Sequence, residues 1–417
     1  MSIESVGDRF NETLGDRIRA WRGTRQMSQA QLAQRSHVSV EYLRSIETGR
    51  RVPARGTLNN IAAALHVSVP VLEGQPHLGA EAEEPMHSVV PELYKVLLCY
   101  DAPDDLAQAP RPLPVLTAEV DQISAMRRDA RYGPMGPLLP PLLTELTHVA
   151  LDSAGETQQR AFWELARTYR AANSLAHKLG YQHLSSTALE RVAWAAAKSG
   201  DLLMEVTAGY LKAGAMLRAG AYGPGTRLLE RLMKRVESAV PEGCWREDQL
   251  AVYGALRLKL VMFEAQSGGG AENVRGQLAE ARDVAAAMGG RDSLAYETSF
   301  GPTNIRIHEV AALLETGDTE QAVERVREWG REQRRDLWTP PESTVKERAS
   351  HHHIDFAAAQ LAEGDRGGAL ASLQEARKIA PQHTRHRPKA RDTVSTLIRL
   401  EGDAPETLAG MARWISR

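Results

Sequence analysis

Cysteine is nearly absent from this chain. Its 417 residues hold two, Cys99 and Cys244, far apart and without a CxxC partner. That excludes a disulfide framework and suits free thiols in a reducing cytoplasm. Long apolar runs are also missing. None approaches the ~20 residues that span a bilayer, so no membrane segment is expected. The opening MSIESVGDRFNETLGDR is too polar for a signal peptide, and a cytoplasmic location is expected. Net charge is small, with 51 basic against 53 acidic residues, so the whole chain is no general polyanion binder. Catalytic motifs are lacking: there is no P-loop, GxSxG or HExxH. No matched acid–base or nucleophile set stands out, so neither an enzyme nor a cofactor is expected. Strand signals are scarce.

What is present is unevenly placed. Residues 1–74 carry ten Arg and no Lys against seven acidic residues. Within them, SQAQLAQRSHVSVEYLRSIETGRRVP (28–53) holds two short helical patterns across a polar turn. Ser28 caps the first, with Leu32 and Ala33 as its apolar face. Ser39 caps the second, with Leu43 and Ile46 inward and Gly49 as its stop. Thr13 opens an earlier helix, Thr57 is expected to cap LNNIAAALHV, and Ser68 starts a short last helix. Five short helices around Leu14, Ile18, Trp21, Leu32, Leu43, Ile46, Ile61 and Leu65 are predicted. The second patterned helix shows Val40, Glu41, Arg44 and Ser45 outward, followed by Arg50 and Arg51. Polar side chains on such a helix suit the edges of bases in a major groove.

Residues 14–69 resemble the helix-turn-helix domain of xenobiotic-response-element-type regulators, the class that includes phage repressors and Cro. The fixed points are Arg22, Ser28-Gln29, Leu32-Ala33, Leu43, Ile46-Glu47, Gly49, Pro53, Leu58 and Ala62–Leu65. The resemblance implies that Arg22 pairs with Glu47, that Gln29 touches phosphate, and that Val40, Glu41, Arg44 and Ser45 face bases from a helix beginning at Ser39. Glu41 is balanced between a cytosine contact and plain solvation. Arg50 and Arg51 are expected on phosphates. The implied partner is a double-stranded DNA operator. One small domain offers few contacts, so a homodimer is expected.

Residues 75–91, with three prolines and an acidic patch, read as a linker. From Glu92 to the end the chain reads as helix after helix, with stops at Gly133-Pro134, Gly180, Gly200-Asp201, Gly220, Gly268–Gly270, Gly317-Asp318, Gly364-Asp365 and Gly402-Asp403. Gly220, Gly268, Gly317 and Gly364 are spaced by 48, 49 and 47 residues, one helical hairpin per period. Residues 364–381 look like the second helix of a tetratricopeptide repeat. The fold class expected is all-α: a five-helix DNA-binding domain (1–74) and a tetratricopeptide-like α-solenoid (92–417). Residues 131–146, 165–181, 300–318 and 385–399 also resemble the ligand-sensing half of actinobacterial regulators with this N-terminal domain. That implies a small-molecule or peptide effector. The solenoid is also read as the dimerisation domain, with a contact through the N-terminal domain left open.

Asn304 and His308 sit at the same offsets before Gly317 as His351 and Asp355 do before Gly364, 13 and 9 residues. Stacked hairpins would bring the four to one patch, either a groove-lining cluster or an inter-repeat hydrogen-bond network. Tyr169, Tyr210 and Tyr253 would line the same groove or pack between helices. Three consecutive histidines, His351–His353, point about 100° apart on a helix and do not converge on a metal. Arg385, His386, Arg387, Lys389 and Arg391 form a basic cluster, read as a solvated face near the end of the solenoid in preference to a DNA contact. Gly268–Gly270 lacks a following Lys-Ser/Thr and reads as a loop. The function expected is an effector-modulated transcriptional regulator. A peptide-pheromone receptor of similar architecture and a protein-interaction scaffold remain open.

Overall fold

Three capped helix starts organise the N-terminal region. In the computed structural model, Thr13, Ser28 and Ser39 each accept a backbone N–H from the first turn of α1 (Leu14–Thr24), α2 (Gln29–Arg35) and α3 (Val40–Glu47). Thr13 and Ser28 form full capping boxes with Asp16 and Gln31, satisfying donors that a helix end leaves open. The structure describes residues 13–75, 85–241, 243–401 and 406–416. α4 (Arg55–Leu65) begins earlier than expected: its cap is Ala54, and Thr57 already lies in the first turn. α5 (Val69–Leu72) completes the five. Leu14, Ile18, Leu32, Leu43, Ile46, Leu58, Ile61, Leu65 and Leu72 form one buried core. Each such side chain contributes about 1.5–3 kcal/mol on burial. Trp21 stays half-buried at its rim, with the Arg25 guanidinium 5.7 Å above the ring.

Residues 76–84 of the expected linker lie outside the described residues, as does the Gly402-Asp403 stop. Helix resumes within the expected linker: α6 (Pro85–Ser88) and α7 (Val90–Leu98) pack Met86, Val89, Leu93 and Leu97 into the next core. α8 (Leu113–Arg128), α9 (Tyr132–Met135) and α10 (Leu139–Asp152) continue it. Gly133-Pro134 falls inside α9, so it begins a helix where a stop was expected.

Five hairpins follow: α11 (Gly155–Leu179) with α12 (Gln182–Ser199), α13 (Leu202–Arg218) with α14 (Tyr222–Ser238), α15 (Glu247–Ser267) with α16 (Ala271–Ala287), α17 (Pro302–Thr316) with α18 (Thr319–Glu332), and α19 (Lys346–Ala362) with α20 (Arg366–Ile379). The turns inside them are Gly180, Gly220, Gly268, Gly317 and Gly364, all at positive φ between 72° and 87°. A left-handed residue is what closes a helix before the chain reverses. α21 (Pro381–Arg385), α22 (Pro388–Glu401) and α23 (Glu406–Ser416) end the described chain. The fold is all-α, a five-helix domain followed by an α-solenoid. Among the described residues the sole β feature is a bridge between Ser293 and Phe300.

The solenoid curls until its ends meet. Lys178, at the end of α11, pairs with Glu347, at the start of α19, at 2.6 Å. Gln382 accepts the Tyr132 N–H at 2.6 Å, tying α21 to α9. The helix-turn-helix unit sits on the rim. The Gly56 N–H donates to Glu315 at 3.1 Å, and Asn59 donates to the Tyr222 hydroxyl at 2.9 Å.

Candidate nucleic-acid interface and solenoid interior

The outer face of α3 is open. Val40, Glu41 and Arg44 are exposed, as are Arg50 and Arg51 beyond its end. Their backbone is held from beneath. Arg22 reaches Glu47 with two hydrogen bonds, 2.6 Å from Nε and 3.1 Å from Nη2, and donates a third to the Met27 carbonyl. Glu47 is 1% exposed, so this fork neutralises a carboxylate that water scarcely reaches. Gln29 is turned inward and donates to Glu47 at 2.8 Å. The expected phosphate contact would thus come from a residue already engaged in the Arg22–Glu47 network. Ser39 and Ser45 are committed as well: Ser39 caps α3, and the Ser45 hydroxyl donates to the Tyr42 carbonyl at 2.7 Å. Arg51 lies over the Tyr42 ring at 5.8 Å. Val40, Glu41, Arg44 and Arg50 therefore make up the free outward set.

The three tyrosines part company. Tyr169 is fully buried in the core of the first hairpins and reaches no groove. Tyr253 donates to Glu237 at 2.6 Å, accepts from Arg257 at 2.8 Å and packs edge-on against Trp245, so it joins neighbouring hairpins. Both take the packing role. Tyr210 is buried in the second core cluster, with Lys259 Nζ 4.4 Å from its ring centre. Burial raises its phenol, but Lys259, Arg348 and Arg170 outweigh that and hold it near 8.

The polar patch from α17 and α19 is partly assembled. His351 Nε2 lies 3.1 Å from Asp355, and Lys389 donates to the same carboxylate at 2.7 Å. His308 Nδ1 is 2.8 Å from the Asn304 carbonyl, which assigns it the proton on that nitrogen. Asn304 donates to the Ser299 carbonyl. Burial holds His308 down to about 3 and His351 to about 4, with Arg348 adding to both. His352 stacks parallel on Phe356 and meets Trp338 edge-on, so the three consecutive histidines face different neighbours.

The basic stretch 385–391 is not the solvated face expected from composition. His386 is buried, Arg387 reaches His351 at 3.0 Å, Lys389 pairs with Asp355, and Arg385 lies over Trp414. The curl of the solenoid turns these charges inward.

Two features escaped the sequence. One is a cavity of about 380 Å³ between α11 and α13, walled by Trp163, Leu211 and Met204. Tyr296 and Glu297 roof it, at φ of 50° and 55°, a conformation costly for residues with a Cβ. Glu297 is anchored by Arg127, Arg167 and Arg170, which outweigh its burial and hold its carboxyl near 2. The other is the run of interior cations Arg218, Lys259 and Arg348. One sequence signal pointed there: Lys259, His308 and Asp355 all sit nine residues before a turn glycine.

A profile of the helix-turn-helix domain family matches residues 13–73. The chain is similar to an immunity repressor protein of Bacillus phage phi105, 37% identical over 76 residues that make up 18% of this chain and 53% of the relative. It is also similar to an uncharacterised helix-turn-helix-type transcriptional regulator of Mycobacterium tuberculosis, 48% identical over 58 residues, 14% of this chain and 41% of the relative. The match thus spans about half or less of these relatives' own lengths. The crystal structure of Bacillus thuringiensis PlcR in complex with the peptide PapR7 and DNA aligns over 86% of this chain and 99% of its own. Identity there is 14% and the TM-score 0.31, a superposition too loose to carry an argument. Among the described residues no helix is long and apolar enough to cross a membrane. Residues 13–73 belong to the helix-turn-helix family, and they sit at the head of a chain that continues as an α-solenoid.

Proposed function

We propose that the protein is a sequence-specific DNA-binding transcriptional regulator, controlled by an effector that binds in its solenoid. The observation that carries this is the asymmetry of the helix-turn-helix unit. Its α3 face is left open while α4, the end of α3 and the start of α1 are docked on the solenoid. A helix free on one face and anchored on the others suits insertion into a major groove under control from behind. Residues 13–74 would read DNA, with Val40, Glu41 and Arg44 toward bases and Arg50 and Arg51 toward phosphates. The remaining DNA-facing candidates, Gln29, Ser39 and Ser45, would position that face. Residues 92–417 would bind the effector and hold two protomers together on a two-fold or tandem operator. Tyr210, His308, His351 and Asp355 are the candidate groove residues that fit an effector role.

Genome-wide mapping of bound sites in the native host tests the regulator role. A recurrent motif with two half-sites, protected by the purified protein in footprinting, is the expected result. Binding that tracks fragment length and never sequence would overturn it.

A further inference from the structure

Three carboxylates beside the interior cations are already engaged. Glu347 is taken by Lys178, Asp355 by Lys389 and His351, and Glu315 by the Gly56 N–H. Arg218 and Lys259 are left without a carboxylate; Lys259 has the Tyr210 hydroxyl as its hydrogen-bond partner. Among the described residues, none of the groups acting on Arg218 or Lys259 is a carboxylate. Arg218 feels Arg55 and Arg387, while Lys259 feels Tyr210, Arg348 and Arg218. Burial and these like charges hold Arg218 down to about 10 and lower Lys259 as well.

The space between them is shaped by Gly214. Arg218 Nη1 and Lys259 Nζ each lie 3.6 Å from the point a Cβ would occupy there, and no other atom outside the helix backbone comes within 4 Å of it. Two cations thus converge on one open point, flanked by the Tyr210 ring. Two half-buried cations held together without a carboxylate repel one another, and an anion between them removes that cost. Nearby on α17, the Asn304 Oδ1 atom is buried without a protein partner, an acceptor for a hydroxyl or amine. One mouth of the interior is covered by the helix-turn-helix unit, and the first and last hairpins meet across it through Lys178 and Glu347, which keep 12% and 21% of their side-chain surface.

We infer that the solenoid interior binds a small molecule bearing a carboxylate or phosphate oxyanion, clamped by Arg218 and Lys259 beside Tyr210, with the charge of Arg348 on α19 adding to the attraction. This rests on the effector role proposed above and supplies its chemistry. It also supplies a route to the DNA-binding unit. Arg55 at the start of α4, ion-paired with Glu73 at 2.5 Å, is among the charges acting on Arg218, so an anion on Arg218 alters the balance of charge at the α4 docking contact.

The test uses the full chain without DNA, so it does not depend on the regulator role. Thermal unfolding is followed in inorganic phosphate and in citrate, each against chloride of equal ionic strength. Both oxyanions are expected to raise the Tm beyond chloride, and the stronger one names the head group. Lys259→Met and Arg348→Met should each raise the Tm in chloride, by relieving repulsion, and weaken the apparent oxyanion affinity about tenfold or more. A second readout needs neither variant. Ultraviolet titration should find one tyrosine, absent in Tyr210→Phe, ionising below the ordinary range, and phosphate should move it upward. No oxyanion effect beyond chloride, or one undiminished in both variants, overturns the inference. Oxyanion binding without any operator would leave it standing and sink the regulator role instead.

Discussion

Arg399 Nη1 donates to the Thr48 carbonyl at 2.8 Å, so a side chain from the end of the solenoid caps the C-terminus of the exposed helix α3. Its Nη2 reaches Thr13 at 2.9 Å and Asp16 at 3.3 Å, tying the start of α1 to the same guanidinium. A cation at a helix C-terminus is favoured by the partial charge there. Gly49 makes the approach possible, since a Cβ there would collide with the Arg399 guanidinium.

Arg399→Ala should therefore loosen the helix-turn-helix unit without unfolding it. The group is about a third exposed, so the loss is modest, roughly 1 kcal/mol of docking. Hydrogen exchange should quicken at the α3 C-terminus and at the start of α1, with the solenoid hairpins unchanged. Equal protection in both proteins would remove the cap from the docking interface.

Glu47→Ala leaves Arg22, 18% exposed, without its carboxylate, and strips Gln29 of its acceptor. Breaking such a pair costs about 3 kcal/mol. Exchange protection of residues 14–65 in the full chain should fall accordingly. Glu47→Gln, which keeps one acceptor, should lose less.

Arg44→Ala touches no core residue and should leave stability unchanged. It is expected to cost about 1–3 kcal/mol of discrimination between operator and random DNA while salt-sensitive non-specific binding persists. Competition binding at two salt concentrations reads both. Unaltered selectivity would mean that α3 docks in another orientation.

The buried histidines predict acid sensitivity. Burial lowers His308 and His352 to about 3, and His351 and His353 to about 4, from an unfolded value of 6.5. Unfolding therefore takes up protons between about pH 4 and 6.5, so stability falls as pH drops through that window. Asp392, raised by burial to about 7, runs the other way and favours the folded state at low pH. His177, His383 and His386 are lowered too, while Glu164 and Glu315 are raised like Asp392; seven histidines against three carboxylates make the net effect a Tm that declines below pH 6.5. His352→Phe, which can keep the stack on Phe356, should flatten that decline.

The helix-turn-helix unit was legible because its signals are local. Thr13, Ser28 and Ser39 cap helices within three residues of themselves, and the apolar spacing of Leu14, Ile18, Leu43 and Ile46 is set along each helix. The hairpin period was legible for the same reason, as each turn glycine must adopt positive φ where it stands. Thr57 misled because a good capping residue is also tolerated in a first turn, and Ala54 took the cap position.

What the sequence determined by itself was the all-α class, the outward face of α3 and the rhythm of the repeats, since backbone sterics and helical periodicity act over a few residues. What only the tertiary structure decided was which side chains face inward. Tyr169 and Tyr210 occupy similar places on α11 and α13 and both are buried, yet only Tyr210 meets a cation, Lys259. The stretch 385–391 reads as a solvated basic face and folds against His351, Asp355 and Trp414. Those outcomes depend on the angle between stacked hairpins, summed over five of them, until Lys178 finds Glu347. Curvature is a property of the whole stack, and no single period of the sequence contains it.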